Sequence, residues 1–236
     1  MLLDEITDRL VCELGPMQFG PPVTHVYNPL EYARAAWAAY VRRYAHVGVD
    51  IVLLGMNPGP WGMAQTGVPF GDPKIVREWL GITADIGKPA REHPKRPVLG
   101  LACSRTEVSG TRLWGWARDR FATPTRFFKR FFVANYCPLM FLEASGRNRT
   151  PDHLAVAERE SLNAACDRAL RATIEMLKPR LVVGVGVFAE MRARAALAGA
   201  EVGVGRMPHP SPASPAANLG WAKLATRSLK DLGVDC

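Results

Sequence analysis

The chain has no Cys-x-x-Cys pair, and its five cysteines, Cys12, Cys103, Cys137, Cys166 and Cys236, are an odd number. Neither a disulfide framework nor a zinc or iron–sulfur site is indicated, so the expectation is reduced thiols in a cytosolic protein, or in a nuclear one if the cell is eukaryotic. No metal and no cofactor is expected. No apolar run approaches the roughly 20 residues needed to span a membrane. Met1 to Leu14 carries acids among its apolar residues and lacks a basic start, which argues against a secretory signal. No internal repeat, low-complexity tract or long linker divides the 236 residues, and at 48% hydrophobic content they can bury a full core. A single domain over 1–236, acting as a monomer, is the expectation. Acids are the scarcer charge: 22 Asp and Glu against 30 Lys and Arg leave +8 and a pI near 9.5. That balance suits an anionic partner, although alone it is weak evidence.

What is present divides into helix starts and short apolar runs. Asn28-Pro29 reads as an N-cap and first helical residue, with Leu30, Ala33, Trp37 and Tyr40 at helical spacing in a run to about Ala45. Asp72-Pro73 opens a second helix through Trp79. Thr150-Pro151-Asp152 has the same start signal and predicts a long helix whose apolar face includes Leu154, Leu162, Cys166, Leu170, Ile174 and Leu177. Ile51 to Leu54, Phe132 to Asn135 and Leu181 to Val185 are apolar runs of strand length, with a weaker one around Val202 to Met207. Strands separated by helices predict an α/β fold, a parallel sheet with helices on both faces. Gly87 to Gly110, rich in Pro, Gly and charge but without periodicity, reads as a structured loop region.

Two segments roughly 150 residues apart stand out. The first, Gly55-Met56-Asn57-Pro58-Gly59-Pro60-Trp61-Gly62-Met63-Ala64-Gln65-Thr66-Gly67-Val68-Pro69-Phe70-Gly71, puts Asn57 where the strand at Ile51 to Leu54 opens into a Gly- and Pro-rich loop. Function tends to sit at that end of a strand in α/β folds. The second, His209-Pro210-Ser211-Pro212, follows the weaker strand, on a loop stiffened by Pro208, Pro210, Pro212 and Pro215. With Glu107-Val108-Ser109-Gly110, Asn135-Tyr136-Cys137-Pro138-Leu139, Ser145-Gly146-Arg147-Asn148 and Leu181-Val182-Val183-Gly184-Val185-Gly186, these segments resemble the single-strand-selective monofunctional uracil-DNA glycosylase family over most of the chain.

The resemblance implies a three-layer α/β/α sandwich with a short, mainly parallel central sheet. It also implies hydrolysis of the N-glycosidic bond of uracil, and of modified or deaminated bases such as 5-hydroxymethyluracil and xanthine, in single- and double-stranded DNA. Breaking that bond leaves positive charge on the sugar and negative charge on the base. His209 is placed to hydrogen-bond the developing anion, a preorganised electrostatic contribution. Asn57 matches the position that holds the attacking water, and an amide suffices if the transition state is dissociative, because positioning then carries the step. Asn135 can pair with uracil N3–H and O4 while cytosine presents the reverse pattern, provided neighbours fix its amide. Phe70 would stack on the flipped base, backbone N–H groups near Met56 and Met63 could meet its oxygens, and Gly59 leaves space beside C5. No motif lysine supplies a lyase step.

For DNA contact, the resemblance and the small polar or basic residue types point to Ser109, Gly110, Arg112, Arg147 and Asn148, with Arg149 beside them, as grips on the backbone. The loop Ser211, Pro212, Ala213 and Ser214 would enter a duplex as a wedge. Animal members carry arginine where this chain has Ala213, so weaker double-strand activity is expected, and Trp61 stands where phenylalanine is common. Each residue alone has a plainer reading: His209 structural, Asn57 a turn residue before Pro58, Asn135 a strand cap, Phe70 core, Arg147 to Arg149 a solvated loop. Trp114 and Trp116 read as packing. Gly184-Val185-Gly186-Val187-Phe188-Ala189 fits the permissive G-x-G-x-x-A dinucleotide fingerprint, but no acid ends a second strand at the usual distance. A damage-binding protein that flips bases without cleaving them would keep Phe70 and Asn135 and lose His209 or Asn57, and both are present.

Overall fold

The apolar runs pair as strands in the computed structural model, which describes residues 2–235. The chain begins with α1 (Leu3–Leu14), β1 (Val23–Tyr27), α2 (Pro29–Tyr32), α3 (Arg34–Tyr44), β2 (Ile51–Gly55), α4 (Met63–Thr66) and α5 (Pro73–Glu78). It continues with α6 (Val108–Phe121), α7 (Pro124–Phe128), β3 (Phe131–Asn135), β4 (Met140–Glu143), β5 (Asn148–Arg149) and α8 (Val156–Leu177). Last come β6 (Leu181–Val185), α9 (Val187–Ala196), β7 (Gly203–Met207), α10 (Pro215–Asn218) and α11 (Trp221–Asp231).

β3, β2, β6 and β7 lie side by side in that order, all parallel. The two central strands are buried at every position, the pattern of a sheet covered on both faces. Successive strand side chains point to opposite faces, and Phe131 and Phe132 mark them. Phe131 meets the rings of Trp116 and Phe121 on α6 and Phe127 on α7, while Phe132 meets Tyr40 on α3. The central sheet is therefore flanked by helices on both sides, a three-layer α/β/α arrangement. α1 packs on α8, and α9 on β6 and β7. No helix among the described residues is long and apolar enough to cross a membrane.

Three expectations need correction. The run from Asn28 is two helices rather than one: Asn28 caps α2 by accepting from the Leu30 amide, but Ala33 leaves helical geometry before α3 begins. The spaced apolar residues Leu30, Ala33, Trp37 and Tyr40 are nonetheless all buried. Thr150-Pro151-Asp152 starts only a 3-10 turn, Pro151–His153; Leu154 and Ala155 are extended and α8 starts at Val156. The face Leu162, Cys166, Leu170, Ile174 and Leu177 is buried as read, and Leu154 is buried from outside the helix. The irregular stretch from Gly87 ends before Gly110, because α6 begins at Val108 under a glutamate cap, which is outside the usual Ser, Thr, Asp, Asn signal. A second, antiparallel sheet, β1-β4-β5, is not legible in the sequence: β4 and β5 span only four and two residues, and β1, Val-Thr-His-Val-Tyr, is no continuous apolar run. Cys12, Cys103, Cys137 and Cys166 are free thiols, and Cys236 lies outside the described residues.

β3 is one of the two edge strands of the parallel sheet, and the fully buried Tyr40 hydroxyl donates to its Val133 carbonyl at 2.8 Å. Tyr40→Phe would strand that carbonyl without a partner, and should lower stability by about 1–3 kcal/mol in chemical unfolding. An unchanged unfolding free energy would show that the bond does not hold the edge.

Candidate active site

The parallel register decides which loops meet. Gly55 pairs with Asn135 at the carboxyl ends of β2 and β3. The ladder then runs on into both loops, with the Tyr136 amide donating to Gly55 and the Cys137 amide to Met56, each at 2.9 Å. Asn57 and Asn135 thereby stand on adjoining loops. On the other side of β2, the Gly186 amide donates to Met207 at 2.9 Å, tying the turn after β6 to the end of β7. Gly186 has φ +97°, and a Cβ there would lie 3.3 Å from the His209 Cβ. A Cβ at Gly184 would run into the backbone of Glu190 on α9. The two glycines that mimic a dinucleotide fingerprint are thus accounted for by helix packing and by the close approach of the His209 loop.

These loops enclose a cavity of about 300 Å³ lined by Met56, Asn57, Gly59, Met63, Phe70, Asn135, Asn148, His209 and Ser211. The sequence-predicted catalytic and base-binding residues all reach it. His209 is half-buried in its wall, and its Nδ1 accepts from the Ser211 amide at 3.0 Å. An amide can only donate, so Nδ1 is unprotonated and the neutral ring carries its proton on Nε2. Burial disfavours the imidazolium and lowers the pKa to about 4. The Asn57 amino group donates to the Leu139 carbonyl at 3.2 Å, which leaves its carbonyl oxygen as the free end. The Asn135 amino group donates to the Met63 sulfur at 3.2 Å. That thioether is a weak acceptor, yet it gives the amide an orientation.

Phe70 is held in an unusual conformation. Its φ is +54°, rare for a bulky residue and costing about 1–3 kcal/mol unless the surroundings impose it. Here they do: the Trp114 indole donates to the Phe70 carbonyl at 3.1 Å, and the bare Cα of Gly110 packs against the same carbonyl. The Phe70 ring lies 6.1 Å from the His209 ring. Trp114 is thus packing, fully buried, but also the clamp on this residue.

The residues read as DNA contacts divide. Ser109 lines the cavity, half of its capping pair with Glu107, and Gly110 is buried against Phe70. Arg112 donates to the Pro210 carbonyl at 2.9 Å and to Asn218 at 2.8 Å, so it braces the His209 loop. Asn148 lines the cavity, donating to Pro58 while its own carbonyl oxygen is buried without a partner. Arg147 is exposed, whereas Arg149 pairs with Glu143 at 3.1 Å. Ser211 lines the cavity and its hydroxyl accepts from the Ala213 amide. Pro212 and Ala213 are exposed, Ser214 partly so, and beyond α10, which follows this loop, Leu219 is 90% exposed.

Glu107 was not among the residues singled out by sequence. It lines the cavity, and a Cβ at Gly59 would lie 2.8 Å from its carboxylate oxygen, one at Gly62 2.9 Å from its Cγ. Both glycines are needed for this side chain to fit. Burial raises its pKa, opposed by hydrogen bonds from Ser109. Its only sequence signal is its place at the start of a quoted segment, and a glutamate before a helix ordinarily reads as surface.

Residues 42–230 match the family model described as the uracil DNA glycosylase superfamily. The chain is 52% identical over 228 residues to the single-strand selective monofunctional uracil-DNA glycosylase of Rattus norvegicus, covering 96% of this chain and 82% of that protein. The Mus musculus protein of that description is 51% identical with the same coverage, and the Bos taurus one 51% over 96% and 84%. Among solved structures, wild-type Pedobacter heparinus SMUG2 superposes with a TM-score of 0.66 at 17% identity, covering 97% of this chain and 98% of that one, a likeness of fold.

The depressed His209 pKa has a defined consequence. Unfolded, the ring takes its proton near the ordinary value of 6.5; folded, only near 4. The unfolded chain therefore binds the extra proton between those limits, so the stability this site confers is whole above about pH 6.5 and is lost as pH falls toward 4. Ring resonances of His209 in the folded protein should titrate near pH 4 by NMR; a midpoint near 6.5 would contradict the burial argument.

Proposed function

Because the chain belongs to the uracil-DNA glycosylase superfamily, and within it to the single-strand selective monofunctional enzymes, hydrolases of N-glycosyl bonds in base-excision repair, we propose that the cavity beneath His209 removes uracil by dissociative hydrolysis. The observation that carries this reading is the meeting of a neutral Nε2–H donor, a free amide oxygen and a strained aromatic ring in one cavity of about 300 Å³. A volume of that order suits one small-molecule guest.

The target nucleotide is turned out of the stack, at a cost of a few kcal/mol, and its base enters over Phe70. Asn135 accepts from N3–H and donates to O4, with Met63 biasing the amide. As the bond from C1′ to N1 breaks, its electron pair passes into the base, and His209 Nε2–H donates to the oxygen on which charge gathers. A neutral donor fits this role, because it stabilises the anion without being asked to surrender a proton. Water held on the Asn57 carbonyl oxygen attacks C1′ and loses a proton to the medium, the base anion takes one from the medium as it is released, and an abasic site and free base remain. The sugar cation needs little activation of that water, so orientation supplies the step.

Substrate range follows from the far wall. Gly59 and the Glu107 carboxylate border one space, which would meet a substituent at C5; a hydroxymethyl group could donate to that carboxylate, supporting 5-hydroxymethyluracil as a substrate beside uracil and xanthine. DNA is gripped from outside by Arg147 and the loop Ser211 to Ser214, with Arg112 positioning that loop rather than meeting phosphate. Exposed Leu219, just beyond α10, supplies a large apolar side chain for the wedge. The enzyme acts as a monomer, from one domain, on single strands in preference to duplexes.

The test is single-turnover cleavage of uracil in a single strand, with chelator present. Loss of one such anion donor lowers rates by about 100- to 1000-fold, the drop expected of His209→Ala. Asn57→Ala should also slow release, with the fold intact by circular dichroism. Wild-type rates in both variants would sink the mechanism. Base release absent from the wild type, with lesion binding kept, would favour the damage-binding reading.

A further inference from the structure

Beside the cavity, the loop after β2 presents Trp61, and two guanidiniums lie over its ring, Arg96 at 5.2 Å and Arg105 at 5.3 Å from the centroid. The arrangement is built, not incidental. Buried Gln65 donates to both Pro60 and Pro97 and accepts from the Leu99 amide, lashing the Trp61 loop to the segment that carries Arg96. On the other side the chain is anchored two residues beyond Arg105, where the Glu107 amide donates to Asp72 at 3.0 Å. Trp61 adjoins cavity-lining Gly62, and Arg105 lies two residues before cavity-lining Glu107.

The cations here lack counter-charges. In the same stretches of chain, Arg77, Lys88, Arg118 and Arg149 each face a carboxylate. Arg96, Arg105 and their neighbours Lys95 and Arg147 have no ion pair among the described residues. The Arg96 Nε is buried with no hydrogen-bond partner. Gly146, next to Arg147, lies so close that a Cβ on it would be 3.1 Å from Lys95 and 3.7 Å from Arg96. Cations without ion pairs thus follow one another from Arg147, beside Gly146, through Lys95 and Arg96 to Arg105 across Trp61, next in the chain to cavity-lining Gly62. Like charges held together on a neutral indole repel one another, and an anion relieves that repulsion. Tryptophan is the best ring for holding such cations.

We infer that Arg96 and Arg105, seated on Trp61, form a phosphodiester clamp for the DNA strand that flanks the flipped nucleotide. The clamp rests on the glycosylase reading for the identity of its strand, and on the unpaired guanidiniums for its chemistry. It grips without reading sequence, and would add affinity for an unpaired strand where no duplex partner shapes the backbone.

The test separates the two readings by measuring binding without a lesion. A labelled, undamaged oligothymidine of about 20 nucleotides, longer than such sites, is titrated at several salt concentrations. The double variant Arg96→Ala with Arg105→Ala should weaken binding by about tenfold or more. Its slope of log affinity against log salt should shrink by about 1.4, from about 0.7 for each lost phosphate contact. Arg105→Lys, which keeps the charge, should retain most of the slope, and Trp61→Ala, which removes the seat, should weaken binding. Arg168→Ala with Arg194→Ala removes an equal charge from ion pairs with Glu13 and Glu190 and serves as control. An affinity and slope in the double variant equal to those of the control would overturn the clamp. Uracil release is scored separately: a wild type that binds but never cleaves counts against the glycosylase reading alone.

Discussion

The missing side chain at Gly55 is the constraint on which the site depends. A Cβ there would overlap the Asn135 carbonyl oxygen and lie 2.6 Å from the Phe70 ring. Only glycine at the end of β2 lets the base-pairing amide and the aromatic platform approach from opposite loops. The register that pairs Gly55 with Asn135 is fixed by buried apolar residues along both strands, so a slip of one residue would exchange those side chains between the two helix-covered faces, mispack both, and separate the two asparagines. The Phe70 strain is accommodated nearby, by the Trp114 indole and by the close approach of Gly110. Core packing and site geometry are thus one problem: the helix that covers the sheet also clamps the ring.

Electrostatics in the cavity follow from burial more than from pairing. His209 loses its cationic form because the wall around it cannot solvate a charge, and the Ser211 amide selects the tautomer. Glu107, across the glycines, is pushed up by the same desolvation. A donor that is neutral before the bond breaks interacts weakly with a neutral base and strongly with the anion it becomes, which is the differential binding that catalysis requires. Around the Trp61 loop, by contrast, exposed Lys95, Arg105 and Arg147 have no ion pair among the described residues, a distribution suited to a backbone rather than a base.

Much of this was legible in the sequence. The strands at Ile51, Phe132 and Leu181 announced themselves because strands buried on both faces are continuous apolar runs, and Asn57 and His209 because the segments that carry them resemble a known family, since alone each has a plainer reading. What could not be read depends on which way a side chain turns. Gly110 and Arg112 looked like backbone grips because their residue types are, yet one is buried under Phe70 and the other is spent on Pro210 and Asn218. Glu107 was silent because a single acid before a helix carries no periodic signal, and its value comes from two glycines more than 40 residues away in the chain. The break before α8 was hidden because Thr-Pro-Asp starts a 3-10 turn as readily as an α-helix. Leu219 is conspicuous only once its neighbours are seen to leave it bare.

The central claim is that His209 works as a neutral donor, and the pH dependence of single-turnover uracil release from a single strand tests it most directly. The account predicts a rate that is level from pH 8 down to about 5 and changes only as the ring titrates near 4. A rate that changes with a midpoint near the ordinary histidine value of 6.5 would show that the ring is charged in its working range, and would contradict it.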